Sequence, residues 1–208
     1  MSKYDVESAE GSYQPGSDEK VLLNKLQIID EEEMESLETE LLLRLYEVVF
    51  EDYWPFEVLI FDDIATWHRK WLGNVYEWAG RNRNVTLGKE GFSFAAPNQI
   101  STLTQKFESK YLIQFANLHD KSRTELVSYL AESHVEFILA HPFREGNGRI
   151  SRLLLDVMAL QAGYSPFDYT LWDENKEYYF KSIQAGVAGN YSYLERLVND
   201  TLQTNLQG

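Results

Sequence analysis

The stretch that most constrains how this chain can fold is His141-Pro142-Phe143-Arg144-Glu145-Gly146-Asn147-Gly148-Arg149-Ile150-Ser151-Arg152. Apolar-periodic segments flank it, Glu125 to Ala140 before and Ile150 to Ala162 after, so it reads as a tight loop joining two helices. Pro142 disfavours the α region for the residue before it, which ends the first helix near His141 and leaves the imidazole at the helix edge. Gly146 and Gly148 allow positive φ and close backbone approach, and the second helix is expected to begin at about Gly148. The N–H groups and dipole of that helix start favour an anion, and Arg149 and Arg152 share the face of its first turn. Together they make a phosphate cradle. Glu145 adds a hard oxygen ligand for a phosphate-bound Mg²⁺, and His141 can take a proton from an incoming hydroxyl. The chemistry suggested is phosphoryl or nucleotidyl transfer. Singly, a histidine at a helix end is more often a cap, and arginines in a first turn are usually solvated. The order of the whole set is what carries the reading.

That stretch resembles the signature of the Fic (Fic/Doc, or Fido) family, His-x-Phe-x-Asp/Glu-Gly-Asn-Gly-Arg-x-x-Arg, and meets every fixed position. The resemblance implies a mainly helical, all-α fold with one β-hairpin flap beside the active site. It implies a protein adenylyltransferase that moves AMP from Mg·ATP onto a Tyr, Thr or Ser hydroxyl of a target protein. By the same resemblance His141 is the general base, Phe143 a buried anchor and Glu145 the Mg²⁺ ligand. Gly146, Asn147 and Gly148 form the anion nest, while Arg149 and Arg152 hold the triphosphate. The kinase-like Doc branch has Lys where this chain has Gly148, which favours adenylylation over phosphorylation.

Charge sharpens the demand on those arginines. Thirty-three acidic against nineteen basic residues give a net charge of −14, which repels phosphate backbones and argues against general nucleic-acid binding. ATP must then be held by local charge. The 208 residues suffice for one domain, no apolar run approaches a membrane span, and the absence of cysteine suits a cytoplasmic protein.

Residues 1–19 read as a polar N-terminal tail and residues 20–208 as the Fic domain. The lead-in from Tyr13 to Leu26 resembles that of bacterial stand-alone Fic toxins. Asp30 and Glu33 form a capping-box pattern opening a helix to about Glu51, striped by Met34, Leu37, Leu41, Leu45 and Val48. A second helix spans about Asp62 to Leu72, and the following Tyr76-Glu77-Trp78-Ala79-Gly80 extends the family resemblance. His68 lies between tryptophans and reads as a core residue rather than a second base. Further helices are expected at about 98–113, 124–140, 175–185 and beyond Leu194. His134, two turns before His141, lacks the third ligand a metal pair would need.

After Gly80 the period changes. Asn84 to Leu87 and Phe92 to Ala95 read as short strands around the turn Gly88-Lys89-Glu90-Gly91. In the family the equivalent flap clamps an extended target segment by strand addition, so Val85, Thr86, Leu87, Phe92, Ser93 and Phe94 are the expected target-binding residues. Tyr178 or Tyr179 is placed by resemblance near the nucleotide base, and Asp156, four residues after Arg152, is read as its orienting partner.

Fic enzymes are commonly silenced by a helix bearing Ser/Thr-x-x-x-Glu-Gly/Asn. The pattern occurs at Thr86 to Gly91 and at Thr170 to Asn175, neither expected on a suitable helix, so inhibition in trans by a small antitoxin is the expected arrangement. Two alternatives to adenylylation stay open: phosphotransfer or other nucleotidyl-type transfer on the same scaffold, and a non-catalytic nucleotide-binding module.

Overall fold

A computed structural model describes residues 10–52, 57–89 and 91–203. The first nine residues of the expected tail, Glu90 of the expected turn and the end of the chain (residues 204–208) lie outside the described residues. Eight helices dominate what is described: α1 (Glu31–Glu47), α2 (Phe61–Leu72), α3 (Ile100–Lys110), α4 (Arg123–Ala140), α5 (Asn147–Gln161), α6 (Thr170–Glu174), α7 (Lys176–Ala185) and α8 (Ser192–Thr201). The expected architecture, helical with one small hairpin, is the one observed.

Helix starts follow local chemistry. Asp30 Oδ1 accepts from Glu33 N–H at 2.9 Å and opens α1. Ser122 and Glu125 cap each other at the start of α4, the side chain of each accepting from the other's backbone N–H. Asp63 Oδ2 accepts from Ile60 N–H at 2.9 Å and opens α2. Each cap satisfies a donor that the first turn would otherwise leave unpaired.

The centre of the fold is α4, which packs against both α5 and α8. Leu126, Leu130, Val135 and Phe137 of α4 are buried against Ile150, Leu153, Val157 and Met158 of α5 and Leu194 and Val198 of α8. Helices this apolar on more than one side have to lie in the core. The packed pair α4 and α5 therefore forms the base, and the short loop between them, residues 141–146, is held at both ends. On the other side α1 packs on α2 through Met34, Leu45, Trp67 and Trp71.

The hairpin is smaller than the sequence suggested and its turn lies further along. Strand β1 is Gly88–Lys89 and β2 is Phe92–Ser93, paired antiparallel as Gly88 with Ser93 and Lys89 with Phe92. Residues 84–87 are not the first strand, because the Val85 carbonyl turns inward to the Arg83 guanidinium instead of joining a ladder. Gly91, at φ +79°, supplies the positive φ that a tight hairpin turn demands. Residues 10–19 are tied to the body by a bridge from Tyr13 to Leu22, and by Gln14 N–H and Leu23 N–H donating to the carbonyls of Val21 and Ser12. Among the described residues no helix is long and apolar enough to cross a membrane.

Candidate active site

The loop begins where α4 stops. His141 is the C-cap, in the left-handed region at φ 46° and ψ 60°, and its N–H still donates to the Phe137 carbonyl. Phe143 is fully buried, and its ring stacks on His68 with centroids 4.0 Å apart and on Phe61 at 6.2 Å. Asn147, 1% exposed, clasps the loop: its Oδ1 accepts from Phe143 N–H at 2.8 Å and its Nδ2 donates to the Phe143 carbonyl at 2.7 Å. The Asn147 side chain thus braces the turn. Gly146 caps α5 at φ 78°, where a Cβ would lie 2.5 Å from the Trp71 ring. Only one of the two loop glycines needs its freedom for φ. Gly148 lies inside the first turn of α5, and a Cβ there would meet nothing within 4 Å.

The imidazole of His141 is clamped. Phe94 stacks on it at 3.7 Å with an interplanar angle of 14°, and Nδ1 lies 3.2 Å from the Ile138 carbonyl. A carbonyl can only accept, so this contact assigns the proton to Nδ1 and leaves Nε2 with its lone pair. Burial pushes the His141 pKa down to about 4; the Ile138 carbonyl raises it, and the charges of Arg83 and Lys89 lower it further. The ring is neutral at pH 7, the form that accepts a proton.

His141, Glu145, Asn147 and Gly148 line one cavity of about 400 Å³, together with Lys89, Phe94, Arg144, Tyr179 and Phe180. The hairpin forms one wall and reaches α7, with Phe92 edge-on to Phe180 at 6.3 Å and Lys89 Nζ 5.6 Å above the same ring. Of the expected flap residues, Thr86 and Ser93 are exposed, Leu87 and Phe92 half-buried, and Val85 and Phe94 buried. Glu145 Oε1 accepts from Gly146 N–H at 2.9 Å.

The two arginines diverge instead of sharing a face. Arg149 pairs with buried Glu38 at 2.7 Å, approaches Glu145 at 3.6 Å and lies 4.6 Å over the Trp71 ring. Arg152 makes a two-point contact with Asp173, Nη2 to Oδ1 at 2.7 Å and Nη1 to Oδ2 at 3.2 Å, above the Tyr169 ring. Asp156 is not its carboxylate partner. That side chain faces the core, where it accepts from Phe167 N–H and from the hydroxyls of Tyr46 and Tyr169. Asp173 belongs to α6, so the Thr170 to Asn175 pattern does lie on a short helix; the arginine is met by Asp173, while the neighbouring Glu174 is exposed.

His68 and His134 are structural. His68 is fully buried, with Nδ1 accepting from Gly80 N–H and Nε2 donating to the Glu145 carbonyl, and burial pushes its pKa down to about 4. His134 Nε2 lies 2.8 Å from Tyr179 OH, and no cluster of three metal-ligating side chains exists among the described residues. Tyr179 lines the cavity, whereas the Tyr178 hydroxyl donates to the Tyr193 carbonyl. Sequence reasoning gave no role to Arg83, Lys89, Arg144 or Phe180: Arg83, Lys89 and Phe180 lie outside the dense motif, and Arg144 stands at one of its unspecified positions.

A profile of the Fic/DOC family matches residues 58–159. Proteins named protein adenylyltransferase Fic from Drosophila yakuba and Drosophila melanogaster are 35% and 34% identical over 124 residues, which is 58% of this chain. The chain spans about a quarter of the length of these curated relatives. Among solved structures, the N-terminal Fic domain of a Bartonella effector protein from Bartonella sp. AR 15-3 aligns with a TM-score of 0.81 at 18% identity, covering 97% of this chain and 95% of that one. BepC from Bartonella tribocorum, with bound AMPPNP, aligns at 0.72 and 22% identity, covering 88% and 93%. At those identities the likeness is one of fold.

Proposed function

Because residues 58–159 of this chain are a Fic/DOC family domain, we propose that the protein is an adenylyltransferase that moves AMP from ATP to a hydroxyl side chain of another protein. The observation that carries the reading is a neutral imidazole with its Nε2 lone pair available, on the wall of a cavity that also holds Glu145 and the N-terminus of α5. His141 Nε2 takes the proton of the target hydroxyl as its oxygen attacks the α-phosphorus. The bond from that phosphorus to the bridging oxygen breaks, and pyrophosphate leaves. The α5 N-terminus, Lys89 and Arg144 supply positive potential in a chain of net charge −14. Proteins of like fold hold AMPPNP or ADP, which agrees with a nucleotide in this cavity.

Mg²⁺ fits the residues present as a phosphate-borne ion. One half-exposed carboxylate, Glu145, faces the cavity, and Mg²⁺ is commonly held by one or two carboxylates with substrate phosphates. When bound it would neutralise phosphate charge, and Glu145 would be its protein ligand. Arg149 and Arg152 reach the phosphates by sharing or leaving Glu38 and Asp173. A small antitoxin acting in trans would have to compete with Asp173 for Arg152. Assignment to the bacterial stand-alone type and to the cytoplasm rests on the Tyr13 to Leu26 lead-in and on the absence of cysteine.

ATP labelled separately at the α- and γ-phosphates tests the reading. Transfer of the α-label to protein is expected, and transfer of the γ-label would make the protein a phosphotransferase. His141→Ala should lower transfer by about 10²–10⁴-fold with nucleotide binding retained; unchanged transfer removes His141 as the base.

A further inference from the structure

Arg83 is 2% exposed and fully engaged, yet among the described residues its hydrogen bonds go to backbone carbonyls and to no carboxylate. Its guanidinium donates to backbone carbonyls: Nε to His141 at 2.7 Å, Nη1 to Val85 at 2.5 Å, and Nη2 to Ala95 at 2.6 Å and Ala140 at 3.5 Å. Its own N–H donates to the Pro142 carbonyl at 2.8 Å. Two of these acceptors close the C-terminus of α4, where carbonyls lack helical partners and the dipole favours a cation. The other two lie just before β1 and just after β2. One rigid fork thereby ties both ends of the hairpin to the residue that carries the base.

The tie answers a strain. His141 is a non-glycine residue in the left-handed region, and it precedes a proline, which favours extended backbone at that position. A conformation of this kind persists only where the surroundings over-determine it. Phe94 stacks on the ring and Arg83 grips the carbonyl, so side chain and backbone are fixed from the same hairpin region.

We propose that Arg83 is the positioning residue of this site: it holds His141 in its left-handed conformation and couples the hairpin to it, so that target and base are brought into one geometry. The inference rests on the proposed transfer reaction, but its physical core concerns the imidazole alone and is measurable without turnover.

The experiment compares the whole protein with Arg83→Lys and Arg83→Gln, using α-labelled ATP transfer, nucleotide binding and histidine ring NMR. With four histidines in the chain the ring signals are separable, and His141 carries the ring-current shift of Phe94. In both variants the His141 signals should move while those of buried His68 and His134 stay, and kcat should fall about 10²-fold, the cost of a misplacement near 1 Å. Nucleotide Kd should stay within about two-fold, because the lost contact acts on the chemical step. Arg83→Lys keeps charge and stem, so it serves if Arg83→Gln fails to fold. Wild-type kcat within about three-fold in Arg83→Lys, or unmoved His141 signals, overturns the proposal. Should the wild-type protein transfer nothing, the proposed activity fails, and the NMR comparison by itself upholds or overturns the role of Arg83.

Discussion

Two loop glycines that look alike in the sequence have opposite physical roles. An alanine at 146 must put its Cβ 2.5 Å from Trp71 Cζ3 while holding φ at 78°. Gly146→Ala should therefore cost about 2–5 kcal/mol, read as a lower urea midpoint. Gly148→Ala meets open space on the cavity side, so stability should stay within about 0.5 kcal/mol of wild type while calorimetry shows weaker nucleotide binding. Equal stability losses at both positions would contradict this account of the loop. His141 yields a third expectation. A base whose pKa burial has pushed down to about 4 remains competent well below neutrality, so the acid limb of kcat/KM should have its midpoint near pH 4. A midpoint near the ~6.5 of free imidazole would show that the ring is solvated and not clamped between Phe94 and Ile138.

The short helix α6 places a carboxylate where a phosphate is expected. Asp173 holds Arg152 through two hydrogen bonds, but its side chain is half-exposed, so the pair is worth what a surface ion pair is worth. Asp173→Asn should tighten nucleotide binding by up to about five-fold, measured as Kd with AMPPNP. Weaker binding would instead mean that Asp173 aims the arginine at the nucleotide. Element by element, legibility tracked length and periodicity. The stripes of α4 and α5 run over four turns and announce themselves, and the Asp30 cap marks the start of α1 within a residue. A ladder of two residues per strand carries no period, so Asn84 to Leu87 looked like a strand although their neighbour Arg83 had claimed a carbonyl. Spacing named Asp156 as the partner of Arg152, but spacing does not report that Phe167 and two tyrosines hold Asp156 in the core. Helix α6, with five residues, is too short for any periodic signal. The twelve-residue motif, six residues of loop and the first turns of α5, was legible because its chemistry is dense; Arg83 was not, since an arginine in a polar run looks solvated until the fold buries it.

At the scale of the whole molecule, buried titratable groups tie stability to pH. Burial lowers His68 to about 4, His134 to about 3 and His141 to about 4. Each histidine therefore binds its proton near pH 6.5 in the unfolded chain but only near pH 4 or below in the folded one, so the unfolded chain gains three protons first. Asp156 works against them, because burial raises it from 3.8 to about 6 and the folded chain holds that proton while the unfolded chain has released it. Between about pH 4 and 6 the unfolded chain carries a net excess of two protons, and stability rises with pH wherever that is so. Each proton is worth about 1.4 kcal/mol per pH unit, so the unfolding free energy should fall by about 3 kcal/mol per unit as pH drops through this window. Two units of acidification would remove about 5 kcal/mol, comparable with the whole stability of a domain at the weak end of the usual range. Urea titrations at pH 4.5, 5.5 and 7.5 measure the slope, and stability that rose as pH dropped would mean that the three rings are protonated in the folded state and Asp156 acts alone. His134→Phe removes one of the three titrations without touching the loop, so it should halve the slope whatever it does to stability at pH 7.5.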